Sequence, residues 1–207
     1  MYSAERPLVV GFVIFDGFEL LDVFGPVEML TMLRERSKVV MLAEKAGPIT
    51  GSKGVVVMAD RALSDAGDID VLIVPGGMGT RREVNNEALL ATLRDLGAKT
   101  PMVGSVCTGS ALLAKAGMLD GVQATTNKRA YAWATSQGPQ VVWVPRARWI
   151  EDGKYITSSG VSAGMDMTLG LIAKLFDVET ARACAQGAEY VWAEDATVDP
   201  FAAVNGL

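Results

Sequence analysis

The sequence alternates short, continuous apolar runs with stretches whose apolar residues recur at helical spacing. Leu8–Phe15 and Val71–Val74 are rich in Val and Ile and contain no polar alternation, which is typical of strands buried on both faces. Strands that alternate with helices favour a mostly parallel sheet covered by helices on both faces. We therefore predict one α/β domain over residues 1–207, with ligands binding beyond the carboxyl ends of the strands.

The other predicted elements follow the same two patterns. Further strands are predicted at Val39–Ala43, Met102–Val106, Val122–Thr125, Val141–Pro145, Arg148–Glu151 and Tyr155–Ser158, with a hairpin from Ile49 to Met58. Helices are predicted within Leu20–Arg36, beginning near Asp22 or Pro26, and at Asn86–Leu96, Ser110–Ala116, Lys128–Ser136, Gly164–Leu175 and Thr180–Trp192.

The absence of histidine excludes several kinds of active site. The chain has no His and only two cysteines, Cys107 and Cys184. Ser-His-Asp triads, Cys-His dyads, His-ligated zinc sites and four-cysteine metal sites are therefore excluded, and acid–base chemistry must use other groups. The net charge of -5 argues against nucleic acid as a partner. Because no apolar stretch reaches membrane length and no signal peptide is recognisable, we expect a cytoplasmic protein with no membrane partner.

Cys107 lies where an apolar strand runs into small residues and then a helix, in the segment Gly104–Ser110. This pattern predicts a nucleophile elbow, a sharp strand-to-helix turn that exposes a reactive side chain. We expect the helix N-terminus to lower the pKa of the Cys107 thiol and free backbone N–H groups to receive developing negative charge. Cys184, which lies among alanines within a predicted helix, is expected to be a structural residue.

Two segments that follow other strands are expected to face Cys107. Pro75–Gly79 matches no phosphate-loop motif, so its glycines favour a backbone cradle for an anionic oxygen or are simply a turn. Asp22 is an isolated acid among apolar residues. It is either a helix N-cap or a partly buried general acid/base whose pKa is raised by burial.

Together these segments resemble the ThiJ/PfpI superfamily. The matching stretches are VGFVIFDGFELLDVFGPVEML, DVLIVPGGMG, VGSVCTGSALLAKAGMLDGVQATTNKRAYAW and YITSSGVSAGMDM. The combination of GSVCTGS, LLDVFGP and ITSSGVSAGMDM resembles the branch that holds the isonitrile hydratases and the cysteine-elbow domains of some AraC-type regulators. The resemblance implies a flavodoxin-like α/β sandwich that forms a homodimer.

The resemblance also implies roles for individual residues. Cys107 corresponds to the nucleophile and Asp22 to the catalytic acid/base of the hydratases. The backbones of Gly76, Gly77, Cys107 and Thr108 correspond to the superfamily's oxyanion donors. Thr108 after the cysteine matches the hydratases, whereas the protease-like branch has His there.

Three features bear on the substrate and on the regulator alternative. Asn127-Lys128 stands where the branch often has His-Trp, so the pocket wall near Cys107 carries an amide or an ammonium where an imidazole is common. Gly160 is expected either to leave room for the substrate or to allow the chain to turn into the helix that follows. The chain ends at Leu207, and we expect no DNA-binding helix-turn-helix domain.

The function that the resemblance implies is a cofactor-independent, cysteine-dependent hydratase of the lyase class, with a small-molecule substrate and no metal. It would add water to an isonitrile to give an N-formamide through a Cys107 thioimidate, with Asp22 as general acid and base. The alternatives are a glyoxalase- or deglycase-like enzyme acting on α-oxoaldehydes, and a non-enzymatic sensor in which Cys107 is oxidised.

The remaining charged clusters are interpreted as surface. We expect Arg81, Arg82 and Glu83 to be exposed charges at a helix start, and Arg146 and Arg148 to lie on a solvated strand face.

Overall fold

A computed structural model describes residues 2–207 and is built around a seven-stranded sheet. The strands are β1 (Leu8–Val13), β2 (Ser37–Ala43), β3 (Gly47–Thr50), β4 (Val56–Ala59), β5 (Arg61–Ala62), β6 (Val71–Val74), β7 (Met102–Ser105), β8 (Gln123–Ala124), β9 (Val142–Trp143), β10 (Trp149–Asp152) and β11 (Tyr155–Ser158). The helices are α1 (Leu20–Thr31), α2 (Thr80–Glu83), α3 (Glu87–Lys99), α4 (Gly109–Lys115), α5 (Tyr131–Thr135), α6 (Ala163–Leu175), α7 (Val178–Gly187) and α8 (Pro200–Val204). Within residues 2–207, no helix combines the length and the apolarity needed to cross a bilayer.

The main sheet has the strand order β10-β11-β7-β6-β1-β2-β5. All neighbours pair in parallel except β10, which runs antiparallel to β11. Every residue of β6 and β7 is buried, so both faces of the sheet must be covered. Helices α1, α6 and α7 pack against one another, and α3 packs against α4. This arrangement confirms the predicted α/β fold with a mostly parallel sheet.

Several element boundaries differ from those predicted. Helix α1 begins at Leu20, before both predicted starts, and contains Pro26. Helix α7 ends at Gly187 and not at Trp192, since Glu189 adopts a left-handed backbone with φ of 50°. The predicted strand Val122–Thr125 is reduced to the two residues of β8, which pair with β9 outside the main sheet. The predicted hairpin is confirmed, because β3 and β4 pair antiparallel.

A buried charge network joins the sheet to the C-terminal segment. Arg148 is only 5% exposed and donates to Asp166 Oδ2 from both Nε, at 2.9 Å, and Nη2, at 2.6 Å. Its Nη1 lies 3.8 Å from Asp199 Oδ1. The other oxygen of Asp166 accepts from Tyr190 Oη and Ala193 N. The interpretation of Arg148 as a solvated residue is therefore wrong, because its charge is neutralised inside the protein.

Candidate functional site

Cys107 lies in a strained turn between β7 and α4. Its φ of 58° is in the left-handed region, which a non-glycine residue adopts only where the surrounding structure enforces it. The Cys107 N–H donates to Ser159 O at 3.1 Å. The Cys107 carbonyl accepts from Thr126 Oγ1 at 3.0 Å and from Ser110 Oγ at 3.1 Å. The backbone is thus held from three sides, as a nucleophile elbow requires.

Asp22 lies in the first turn of α1 and is fully buried. Its Oδ2 accepts from the Gly76 N–H at 2.8 Å, while Oδ1 has no hydrogen-bond partner among residues 2–207. The N-cap of α1 is Glu19, so Asp22 does not cap the helix. A Cβ at Gly76 would lie 2.6 Å from Thr108 N and 2.9 Å from Asp22 Oδ2. Only glycine at this position lets the carboxyl and the elbow approach each other this closely.

The backbone N–H groups of the glycine loop are already engaged within the protein. The Gly76 N–H holds Asp22, and the Gly77 N–H donates to Thr108 Oγ1 at 3.2 Å. Neither is left to receive charge on a substrate, so the predicted oxyanion role of these two amides needs correction. The backbone N–H groups of Thr108 and Val161 instead stabilise the Cys107 sulfur when it is charged. Val161 was missed because no sequence signal marks its N–H.

The Asn127 side chain forms a hydrogen bond to the Cys107 side chain. Its Nδ2 donates to Cys107 Sγ at 3.2 Å, and its Oδ1 accepts from the Ala130 N–H at 2.9 Å, which fixes the direction of the amide. A Cβ at Gly160 would overlap Asn127 Nδ2. Gly160 therefore leaves room for Asn127 and does not line the cavity in front of Cys107.

Burial raises the pKa of both acids in the site. The pKa of Asp22 rises from 3.8 to about 7, chiefly through burial, although the Gly76 hydrogen bond lowers it. Burial and then the negative charge of Asp22 raise the pKa of Cys107 to about 12, although Thr108, Val161 and Asn127 lower it. The N–H of Thr108, at the N-cap of α4, lowers the Cys107 pKa in the expected direction, but burial and the charge of Asp22 raise it by more, so the expected net lowering does not result.

A cavity of about 660 Å³ opens in front of Cys107. It is lined by Arg81, whose Cζ lies 3.9 Å from the centroid of the Trp133 ring. The interpretation of Arg81–Glu83 as exposed charge holds only for Arg82, since Arg81 is half-buried and Glu83 is buried. The position of Arg81 two residues after the glycine loop that follows β6 is the signal that could have placed it at this cavity.

No group of three or more His, Cys, Asp or Glu side chains within residues 2–207 is arranged to hold a metal ion. The site itself brings together a cysteine sulfur, one buried carboxyl and the N–H groups of Thr108, Val161 and Asn127, which stabilise the charged sulfur.

Comparison with known proteins gives consistent matches. Residues 9–174 match the model of the DJ-1/PfpI family. The isonitrile hydratase of Pseudomonas putida is 34% identical over 185 residues, which cover 88% of this chain and 78% of that protein. The HTH-type transcriptional regulator GbdR of Pseudomonas aeruginosa is 32% identical over 82% of this chain, but the match covers only 47% of the regulator. A crystal structure of a ThiJ/PfpI family protein from Pseudomonas syringae superposes with a TM-score of 0.82 at 29% identity, covering 89% of this chain and 75% of that one.

Proposed function

The chain belongs to the DJ-1/PfpI family, and from that premise we propose that it adds water to an isonitrile to give an N-formamide. The observation that carries the proposal is the fully buried carboxyl of Asp22, whose Oδ1 has no hydrogen-bond partner among residues 2–207 and whose pKa is influenced by the Cys107 side chain. The similarity to an isonitrile hydratase over most of the chain gives the substrate class.

In the first step, Cys107 Sγ attacks the terminal carbon of the isonitrile and forms a C–S bond. The thiol proton passes through Asp22 to the same carbon, which gives a thioimidate and leaves Asp22 as a carboxylate. The N–H groups of Thr108, Val161 and Asn127 stabilise the sulfur while it carries negative charge.

In the second step, water adds to the thioimidate carbon. Asp22 takes a proton from that water and gives it to the substrate nitrogen. The C–S bond then breaks, the new hydroxyl becomes the formyl carbonyl, and its proton returns to the sulfur by way of Asp22. The sum of both steps is one isonitrile and one water consumed and one N-formamide formed.

The test is formamide formation from an alkyl isonitrile by the parent and by Cys107→Ala and Asp22→Asn. Cys184→Ala is the matched control, because Cys184 is the other free, buried cysteine and lies in α7. We expect saturable turnover in the parent and the control and its loss in the two site variants. Absence of formamide from a folded parent whose Cys107 still alkylates would overturn the isonitrile proposal, and turnover of an α-oxoaldehyde would then favour the alternative enzyme class.

We propose in addition that the protein is a homodimer in a reducing, cytoplasmic compartment. Leu21 and Phe24 on α1 are each 40% exposed, and Val56 and Met58 on the neighbouring hairpin are about 60% exposed. Apolar side chains of this size support a subunit interface. Light scattering on the purified chain tests this, and a mass near 22 kDa would contradict it.

A further inference from the structure

Arg81 is held at the wall of the cavity next to the nucleophile. Its guanidinium stacks on Trp133, and its Nη1 lies 3.1 Å from Thr80 Oγ1 and 3.5 Å from Thr108 Oγ1. Thr108 follows Cys107 directly, so the positive charge is fixed close to the reacting sulfur. The stacking immobilises the guanidinium and fixes the direction in which its remaining N–H groups point.

The charge of Arg81 has no counter-ion within the protein. Among residues 2–207, Arg82, Arg148 and Arg182 each form an ion pair, whereas no carboxylate lies within 4.0 Å of Arg81. The Nε and Nη2 of Arg81 also make no hydrogen bond to the described residues. A half-buried guanidinium with unused donors beside a nucleophile is a ready receptor for an anion.

We propose that Arg81 is a specificity-determining residue that binds a carboxylate on the substrate, so that the protein prefers acidic isonitriles to neutral ones. This proposal rests on the function proposed above. The planar guanidinium edge formed by Nε and Nη2 matches a carboxylate with two parallel hydrogen bonds.

The other groups around the cavity are compatible with a small acid. Arg129 also lines the cavity and is an exposed cation without an ion pair among residues 2–207. Glu19 is the one carboxylate among the lining residues, and its Oε1 accepts from Ser52 Oγ. Met78 and Ala130 supply apolar surface for the rest of the molecule. A substrate with a carboxylate at one end and the isonitrile at the other, separated by a short apolar linker, fits these contacts.

The first test compares isocyanoacetate with its uncharged methyl ester in the parent, Arg81→Gln and Arg182→Gln. The Arg182 variant carries the same substitution on the surface of α7, outside the site, and controls for net charge. We expect the parent to prefer the acid, and Arg81→Gln to lose about 10- to 100-fold in kcat/KM for the acid with little change for the ester. Equal kcat/KM for both substrates in the parent would overturn the proposal while leaving the hydratase function intact.

The second test does not depend on isonitrile turnover. Cys107 is alkylated with iodoacetate and with iodoacetamide, and the two rates are followed by mass spectrometry of its peptide. In the parent, we expect the ratio of the iodoacetate rate to the iodoacetamide rate to exceed the ratio for free cysteine. This ratio is expected to fall about tenfold or more in Arg81→Gln and to stay unchanged in Arg182→Gln. A ratio unaffected by Arg81→Gln would refute anion binding by Arg81, whatever the enzyme turns over.

Discussion

Replacing Asp22 by asparagine should make the protein's stability less dependent on pH. The pKa of Asp22 is about 7 in the folded protein and 3.8 without burial. Between these values the folded state keeps a proton that the unfolded chain has lost. The free energy of unfolding therefore falls as the pH rises through this range and levels off above about pH 7. The amide side chain of the Asp22→Asn variant does not titrate, so the variant avoids this loss.

The size of the effect follows from the two pKa values. Linkage predicts that the free energy of unfolding of the parent falls by roughly 2.5 kcal/mol between about pH 5 and pH 8 because of Asp22. In the variant, the side chain at position 22 contributes no such loss. Urea unfolding of both proteins at several pH values, followed by circular dichroism, measures it. Cys107 and Lys128, whose pKa values are also shifted, are present in both proteins, so most of their contribution cancels in the difference.

The difference in free energy of unfolding between variant and parent should therefore shift in favour of the variant as the pH rises. A difference that stays constant over this range would mean that Asp22 ionises with an ordinary pKa in the folded protein. It would then be hydrated, and its proposed role as a buried proton carrier would lose its physical basis.

Three further changes test the geometry. Gly160→Ala places a Cβ against Asn127 Nδ2, and steady-state assays should show a roughly 10- to 100-fold lower kcat with an unchanged melting temperature. Gly76→Ala brings a Cβ within 2.6 Å of the elbow backbone, so circular dichroism should show a lower melting temperature and activity should be lost. Asp166→Asn leaves Arg148 buried without its close partner, and urea unfolding should show a loss of about 3–5 kcal/mol with the site chemistry retained. A parental kcat in Gly160→Ala, a parental melting temperature in Gly76→Ala or a parental free energy of unfolding in Asp166→Asn would contradict the contact on which that prediction rests.

The sheet could be predicted because its strands carry a local signal. β1 and β6 are apolar runs of strand length. Because both faces of these strands are buried, their sequences are continuously apolar, and this pattern is recognisable without the structure. The end of α7 could not be predicted in this way. The apolar spacing continues past Gly187, whereas the left-handed turn at Glu189 and the contacts of Tyr190 with Asp166 are tertiary effects.

The site was only partly predictable for the same reason. Cys107 and Asp22 lie in segments with distinctive local sequence, and the structure brings both to the same edge of the sheet. Val161 acts through its backbone N–H, which has no sequence signature. Arg81 resembled a surface residue because its stacking partner, Trp133, lies about fifty positions away in the sequence.

The high pKa of Cys107 is compatible with its proposed role as a nucleophile, because the nearby carboxyl of Asp22 can accept its proton. Burial opposes the appearance of a second charge in the site, but moving a proton from Cys107 to Asp22 relocates one charge and adds none. The N–H groups of Thr108, Val161 and Asn127 lower the pKa of Cys107 and so stabilise the charge on the sulfur once the proton has moved. Asp22→Asn should therefore slow attack by Cys107 even though removing the Asp22 charge lowers the pKa of the thiol, because the proton then has nowhere to go.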